Sequence, residues 1–372
     1  MHKIRVLVVD DVAIFRRVVT DELSGDPAIE VVGTAANGRI ALAKMQHSCP
    51  DIVILDVEMP EMDGLETLKE VRRLYPRLPV IMFSALTEQG AEATLDALAL
   101  GATDYFTKPA GPGGIDASRA VIREQLIPEV KALCARKPEA VPTSLGALST
   151  EGAPGRLPPA LKSHVPPGNF GGPIEVLAIG TSTGGPNALA ELFRGLPPDF
   201  PVPIVIVQHM PPMFTRLLAE RLAAQFGIPV EEGRSGTSLA PGRAWIAPGD
   251  HHMILTRDGA QVRLLLHQDP PENSCRPAVD VLLRSVARTF GPRSLTVILT
   301  GMGEDGLRGC KAIREAGGQI LAQDEASSIV WGMPGQVARA GLADRVLPLS
   351  IMADEILRRA QTDSSSILPK SR

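Results

Sequence analysis

The run Ile4-Arg5-Val6-Leu7-Val8-Val9-Asp10-Asp11 decides how the first third of the chain folds. Five of its first six residues are aliphatic, four of those five are β-branched, and the run stops at two carboxylates, as a strand does on reaching a sheet edge. Working outward, further strand candidates lie at 29–33, 51–55, 79–83 and 104–107. Helical spacing of apolar residues fills the gaps at 13–23, 39–45, 65–75 and 91–100. Strands alternating with helices predict a doubly wound parallel sheet, because a parallel crossover usually needs a helix.

Residues 115–136 carry a helical pattern that Pro128 is expected to kink or break. From 137 to 173 the pattern dissolves into Pro, Gly, Ser and Thr, including Pro138, Pro142, Pro154, Pro158 and Pro159, and this stretch reads as a linker. Periodicity returns at Ile174. Strand candidates follow at 174–179, 202–207, 243–246, 253–256, 262–266, 295–299 and 319–322, with helical stretches at 188–193, 216–225, 279–289 and 307–316. Asp258-Gly259 marks an antiparallel hairpin. The expected fold class is α/β, with two doubly wound parallel-sheet domains joined by a linker. The division is a first domain at 3–122, helix and linker at 123–172, a second domain at 173–362 and a disordered Ser-rich tail at 363–372.

The 372 residues suit two domains at about 100–200 residues each. Hydrophobic residues make up 44% and aromatics 3%, so aliphatic side chains must fill both cores. A net charge of −4 gives no electrostatic reason to expect nucleic acid or an anionic membrane as partner. Cys49, Cys134, Cys275 and Cys310 are far apart and form no CxxC pair, which argues against a zinc site and fits reduced thiols in a cytosol. No apolar stretch approaches the roughly 20 residues of a membrane span, and no signal peptide precedes Asp10, so the expected location is cytoplasmic.

Asp10 and Asp11 close the first strand and Asp56 the third. Ligands of such sheets sit at the carboxyl ends of the strands, so three carboxylates should converge there. They repel one another and suit a hard divalent cation such as Mg²⁺. Ser84 ends the fourth strand and Lys108 the fifth, where a hydroxyl and an ammonium can hold a phosphoryl group on Asp56. The bland reading, loop caps and solvated strand ends, suits any one of these residues but not five at matching strand ends. Asp10-Asp11, Asp56 with Met59-Pro60 and Asp63-Gly64, Ser84-Ala85 and Lys108-Pro109 together resemble the signature of a response-regulator receiver domain. The resemblance implies a flavodoxin-like fold with Asp56 as phosphoacceptor. It also implies Mg²⁺ on Asp11, Asp56 and the Glu58 carbonyl with support from Asp10, Lys108 as phosphate partner, Ser84 and Phe106 as a switch pair, and a cis Lys108–Pro109 bond.

In the second domain the buried-strand pattern at 174–179 stops at Gly180-Thr181-Ser182-Thr183-Gly184-Gly185-Pro186. Strand, tight glycine turn and helix form the setting in which a G-x-S-x-G serine becomes a nucleophile, with the helix N-terminus facing a developing oxyanion. The competing reading is a phosphate loop, but the P-loop Lys and the G-x-G-x-x-G spacing are both missing. His209 follows the strand at 202–207 and Asp305 the strand at 295–299, so Ser182, His209 and Asp305 reach one rim as nucleophile, base and orienting acid. His251 and His267 read as loop or surface residues, and His252 as a candidate for the cleft wall. The order Ser, His, Asp excludes the α/β-hydrolase fold.

The stretch 178–185, Gln208-His209-Met210-Pro211, Ala247-Pro248-Gly249-Asp250, Arg276-Pro277-Ala278-Val279-Asp280, the stretch 299–306 and Gln323-Asp324-Glu325 resemble successive motifs of the bacterial chemotaxis protein-glutamate methylesterases. That resemblance implies a Rossmann-like catalytic domain with the triad Ser182, His209 and Asp305, and an oxyanion site at the backbone N–H of Thr183 with help from Met302. It implies demethylation of γ-glutamyl methyl esters on chemoreceptor cytoplasmic helices, deamidation of receptor glutamines, a histidine kinase as phosphodonor, and no cofactor in the esterase site. A monomer without membrane insertion is expected. Thr181 departs from the family, which commonly has Ala there. A transcriptional regulator would need a basic helix-turn-helix after the linker, where an α/β pattern stands instead. A silent interaction module would be expected to have lost at least one of the three triad residues.

Overall fold

The first strand, β1 (Ile4–Val9), lies inside a five-stranded parallel sheet, and its aliphatic residues 6–9 are at most 1% exposed. The computed structural model describes residues 3–109, 114–135 and 173–360; the expected linker at 137–172 and the tail lie outside the described residues. Strands β2 (Ile29–Ala35), β3 (Ile52–Asp56), β4 (Val80–Ser84) and β5 (Asp104–Thr107) complete the sheet in the order β2-β1-β3-β4-β5. Helices α1 (Ala13–Ser24), α2 (Gly38–Ser48), α3 (Gly64–Leu74) and α4 (Glu88–Ala99) cross between them. That order reverses between β1 and β3, which makes the carboxyl ends of those two strands the natural binding crevice.

The helical stretch after β5 is not broken at Pro128. Helix α5 (Gly114–Val121) passes through a π-helical turn, Ile122–Leu126, into α6 (Ile127–Cys134), with Pro128 in the first turn of α6. The wide π turn puts the proline where a missing N–H costs little. This continuous helix crosses the expected boundary at residue 122 and belongs to the first domain's core: Ile122, Leu126, Val130 and Leu133 pack with Val6, Val8 and Ile54. Glu22 on α1, buried, accepts from Arg119 and Arg123 on this helix at 2.6 and 2.7 Å.

The second domain is a seven-stranded parallel sheet in the order β14-β13-β12-β6-β7-β9-β8. Its strands are β6 (Val176–Thr181), β7 (Ile204–Gln208), β8 (Val230–Glu232), β9 (Ala244–Ile246), β12 (Ser294–Ile298), β13 (Gln319–Gln323) and β14 (Arg345–Leu347). The helices are α7 (Gly185–Arg194), α8 (Phe214–Phe226), α9 (Val279–Phe290), α10 (Leu307–Glu315), α11 (Met333–Arg339) and α12 (Met352–Ala360). Strands β10 (His252–Asp258) and β11 (Gln261–His267) form the expected hairpin, turning at Gly259 with φ +59°. The chain starts at β6, builds outward on one side through β7, and returns to build the other side from β12. The switch point therefore lies at the carboxyl ends of β12, β6 and β7, where ligands of open α/β sheets bind.

The two domains share a face. Leu95, Leu98 and Ala102 of the first domain belong to the same buried apolar cluster as Phe214, Leu217 and Leu218 of the second. Tyr105 stacks on Phe214 with centroids 5.0 Å apart, and Arg221 pairs with Asp96 at 2.8 Å. Arg216 pairs with Glu88, and Asn187 donates to the Ala102 carbonyl at 3.4 Å. Among the described residues no helix is long and apolar enough to cross a membrane.

Candidate active site and phosphoacceptor pocket

Every residue of β6 is buried, and the chain leaves it through Ser182 into a turn at Gly184, with φ +72°, that opens α7. A side chain at Gly184 would be strained, and a Cβ at Gly185 would lie 1.9 Å from Gln208 Oε1, so the tightness of the turn depends on both glycines. The extra hydroxyl of Thr181 is satisfied: it is fully buried and donates to the Thr300 carbonyl at 3.0 Å. Thr300 in turn donates to the Thr183 carbonyl at 2.9 Å, tying the loop after β12 to the serine turn. Among the described residues neither the Thr183 nor the Met302 amide N–H has a protein partner, so both donors stay free.

His209 follows Gln208, which pairs with Thr181, so it stands beside Ser182 one step past the paired strand ends. Its Nε2 lies 2.8 Å from Asp305 Oδ2. No hydrogen bond joins Ser182 Oγ to the imidazole among the described residues; Nδ1, the nitrogen left over, faces Cys275 Sγ at 3.5 Å. Such nucleophile–base contacts commonly tighten only when substrate binds.

Asp305 is buried and fully supplied with donors. Oδ2 accepts from His209 and the Val279 N–H (2.6 Å). Oδ1 accepts from the N–H groups of Asp280 and Gly306, both at 3.0 Å, and from Asn273 Nδ2 at 2.8 Å. Burial opposes its charge, but the His209 bond and the amides of α9's first turn outweigh it and hold the carboxyl below its usual range. For His209 burial again opposes the charged form, and the bond to Asp305 with Cys275 on the other side lifts the imidazole above its usual range.

Sequence reasoning missed Asn273 and Cys275. Asn273 and Ser274, with φ +52° and +61°, form a two-residue turn closed by bonds of 2.9 and 3.1 Å between Glu272 and Cys275. The Asn-Ser pair was the available signal, since Asn accepts left-handed backbone readily. Asn273 Nδ2 also donates to Asp280 at 3.0 Å, bridging two buried carboxylates.

The expectation that His252 lines the cleft is overturned: it is 1% exposed, its Nδ1 accepts from the Ala278 N–H and its Nε2 donates to the Pro270 carbonyl, both at 3.2 Å. Burial lowers its pKa, and an Nδ1 that accepts an N–H marks it as a core histidine. Arg276 holds the same loop, binding Asp250 and the Gln268 and Asp269 carbonyls.

In the first domain Asp10, Asp11 and Asp56 bring carboxylate oxygens within 4.8 Å of one another. Lys108 Nζ sits 2.9 Å from Asp10 Oδ2 and 2.7 Å from Asp56 Oδ2. Those two oxygens are buried and, among the described residues, have no other partner, so one ammonium serves a cluster of three acids; this donor set fits a hard divalent cation. Burial pushes the Asp56 carboxyl up to about 6 against the pull of Lys108. The Asp63-Gly64 pair shapes the backbone behind this pocket, since Asp63 caps α3 and a Cβ on Gly64 would strike the Asp56 carbonyl at 2.2 Å. Glu58 projects its side chain to solvent while its backbone borders Asp56. Ser84 is fully buried, with its hydroxyl turned onto the Gly90 carbonyl at 2.9 Å, and Phe106 is buried and stacked on Phe83. The expected cis Lys108–Pro109 bond is corrected: it is trans, and the cis bond among the described residues is Arg276–Pro277. Lys108 already reaches both carboxylates from the trans form, which X–Pro bonds favour by about 0.5–1 kcal/mol.

A CheB methylesterase family model matches residues 177–356, and a response regulator receiver domain model matches residues 6–118. The protein-glutamate methylesterase/protein-glutamine glutaminase of Trichodesmium erythraeum is 55% identical over 96% of this chain and 99% of its own length. Its counterpart in Nocardioides sp. is 50% identical over 99% of both chains. The chain belongs to the CheB methylesterase family. The crystal structure of the Thermotoga maritima CheB methylesterase catalytic domain is similar at 40% identity and a TM-score of 0.49, covering 50% of this chain and 98% of that one.

For a CheB-family chain the shared face has a particular position. Asp104, at the start of β5, is buried against the serine turn. Burial raises its carboxyl to about 6, while Tyr105 N–H, Thr183 and the Gly184 N–H pull it down. Glu129 on α6 is buried beside it and raised by burial and by the Asp104 charge. The receiver thus touches residues next to Ser182.

Proposed function

We propose that this chain is a phosphorylation-activated serine esterase that demethylates γ-glutamyl methyl esters on the cytoplasmic helices of chemoreceptors and deamidates receptor glutamines to glutamate. The observation that carries this reading is the 2.8 Å His209–Asp305 pair standing beside the Ser182 turn at the sheet's switch point. Asp305, ionised and locked by its donors, keeps the proton on Nε2 and leaves the Nδ1 lone pair for Ser182. Ser182 Oγ attacks the ester carbonyl as His209 takes its proton, and the free Thr183 and Met302 amides receive the oxyanion. His209 then protonates departing methanol. Water, deprotonated by the same imidazole, releases glutamate from the acyl-enzyme. A glutamine substrate follows the same steps with ammonia as leaving group.

In the receiver, Asp10, Asp11, Asp56 and the Glu58 carbonyl would hold Mg²⁺, which supplies positive charge against the phosphoryl oxygens. Asp56 accepts the phosphoryl group from a histidine kinase, and Lys108 pairs with it. The unphosphorylated receiver, held through Tyr105, Arg216, Arg221 and Asp104, restricts access to Ser182, and phosphorylation biases that interface toward opening. The test is methanol release from methylated receptor. Ser182→Ala is expected to abolish it, and wild-type-level release by that variant refutes the assignment.

A further inference from the structure

The geometry points to a site for a thiophilic divalent cation of the zinc class on Cys275 Sγ and His209 Nδ1, with Asp305 behind the imidazole. Zinc bonds of about 2.3 Å to sulfur and 2.0–2.1 Å to nitrogen, at a tetrahedral angle, put the two ligand atoms roughly 3.6 Å apart. Cys275 Sγ and His209 Nδ1 already stand 3.5 Å apart, within about 0.1 Å of that separation. The third element of such sites is also present: a carboxylate on the far ring nitrogen fixes the tautomer of a metal-binding imidazole, and Asp305 does this at 2.8 Å. Ligand atoms of His209, Cys275 and Asp305 all fall within 4.8 Å of one another.

The thiol is held in place rather than carried on a loose loop. The turn that places it is closed by two backbone bonds, and its Asn273 is anchored on Asp280 and Asp305. Cys275 is half-buried and the His209 side chain 13% exposed, so a cation can reach the pair and complete its shell with water. The receiver cluster Asp10, Asp11 and Asp56 is all oxygen and suits Mg²⁺, whereas sulfur and imidazole select softer ions, so the two sites do not compete.

Binding releases the thiol proton and, where the imidazole is charged, the Nδ1 proton: the S–H and N–H bonds break, S–metal and N–metal bonds form, and the protons go to solvent with no change of oxidation state. Occupancy therefore tightens as pH rises. The metal takes the Nδ1 lone pair, so it inhibits the esterase; this consequence, unlike the binding itself, rests on His209 being the general base.

The test uses the full-length, reduced, chelator-treated chain titrated with Co²⁺ and then Zn²⁺. One equivalent of Co²⁺ is expected to give a thiolate-to-cobalt charge-transfer band that Zn²⁺ abolishes. Cys275→Ser should lose the band, while Cys49→Ser keeps it. On the wild-type protein, Zn²⁺ should shield Cys275 from alkylation, read by peptide mass spectrometry, which serves if the variant does not fold. Zn²⁺ should lower methanol release at least tenfold, reversibly with chelator. Absence of the band in wild type, its persistence in Cys275→Ser, or unshielded Cys275 each overturns the site. A band that depends on Cys275 without inhibition leaves the site standing and overturns His209 Nδ1 as the base.

Discussion

Replacing Asp305 with Asn alters one atom of the carboxylate and tests the whole arrangement around His209. Asn can keep an oxygen at Oδ1, where Asn273 and the amides of Asp280 and Gly306 all donate. Its NH₂ then occupies the Oδ2 position, 2.6 Å from the Val279 N–H and 2.8 Å from His209 Nε2. Two donors face each other at Val279, which costs about 1–3 kcal/mol in a buried site. At His209 the amide can only donate, so Nε2 must become an acceptor and the ring proton moves to Nδ1. Ser182 then has no base, and kcat is expected to fall about 10⁴-fold, the scale seen when an orienting aspartate becomes asparagine. The charge loss also has a pH signature. Asp305 helps raise the His209 pKa, so the acid limb of kcat/KM for wild type lies above pH 6.5 and activity climbs as the imidazole deprotonates. Losing a charge-assisted bond of about 1.5–3 kcal/mol moves that limb down by roughly 1–2 pH units at 1.36 kcal/mol per unit. A raised His pKa stabilises the fold fully below the unfolded value and less as pH passes the folded one. The stability deficit of Asp305→Asn in urea should therefore be larger at pH 6 than in the alkaline range. A variant that retains kcat within tenfold and an unmoved acid limb refutes this reasoning.

Asp56→Asn is expected to abolish the rise in methanol release on adding a small-molecule phosphodonor with Mg²⁺; a wild-type response rules out Asp56 as acceptor. The Asp56 carboxyl, pushed up to about 6 by burial, must ionise before it binds a cation, so Mg²⁺ affinity by calorimetry should fall as pH drops below about 6 and level off above it. A flat profile between pH 5 and 7 contradicts that. Arg221→Glu sets a like charge against Asp96 across the shared face. A partly exposed pair is worth at most about 1 kcal/mol, so the unphosphorylated enzyme should become roughly fivefold more active. Unchanged release would place the restraint elsewhere on the interface.

The fold class and several strands were legible where chemistry is concentrated locally. β1 occupies the residues read as a strand, because an aliphatic run ending at a polar residue has few other uses in a buried sheet. β8 and β14 escaped notice: each has three residues, and Glu231, Arg345 and Val346 face solvent at the sheet edges, so no apolar run announces them. Pro128 does not break its helix as expected, because propensity alone cannot foresee a π turn that accommodates it. Asn273 was invisible for another reason: its value lies in Asp305, 32 residues away, and only the fold supplies that contact.

Asp56 and Asp305 show why residue type and strand end do not settle chemistry. Both are buried aspartates at the carboxyl rims of parallel sheets, yet burial leaves Asp56 raised and Asp305 lowered. The difference is in their neighbours. Asp305 has two carboxylate oxygens filled by three amide N–H groups, an asparagine and an imidazole, so its charge is stabilised without any ion. Asp56 shares one ammonium with Asp10 and has a further acid beside it, so its charge is stabilised incompletely. An orienting acid, the role proposed for Asp305, has to stay ionised through a turnover, which the donors around it favour. A phosphoryl acceptor, the role proposed for Asp56, has to ionise, bind a cation and exchange partners, which the second environment permits because its Oδ2 faces only the Lys108 ammonium among the described residues.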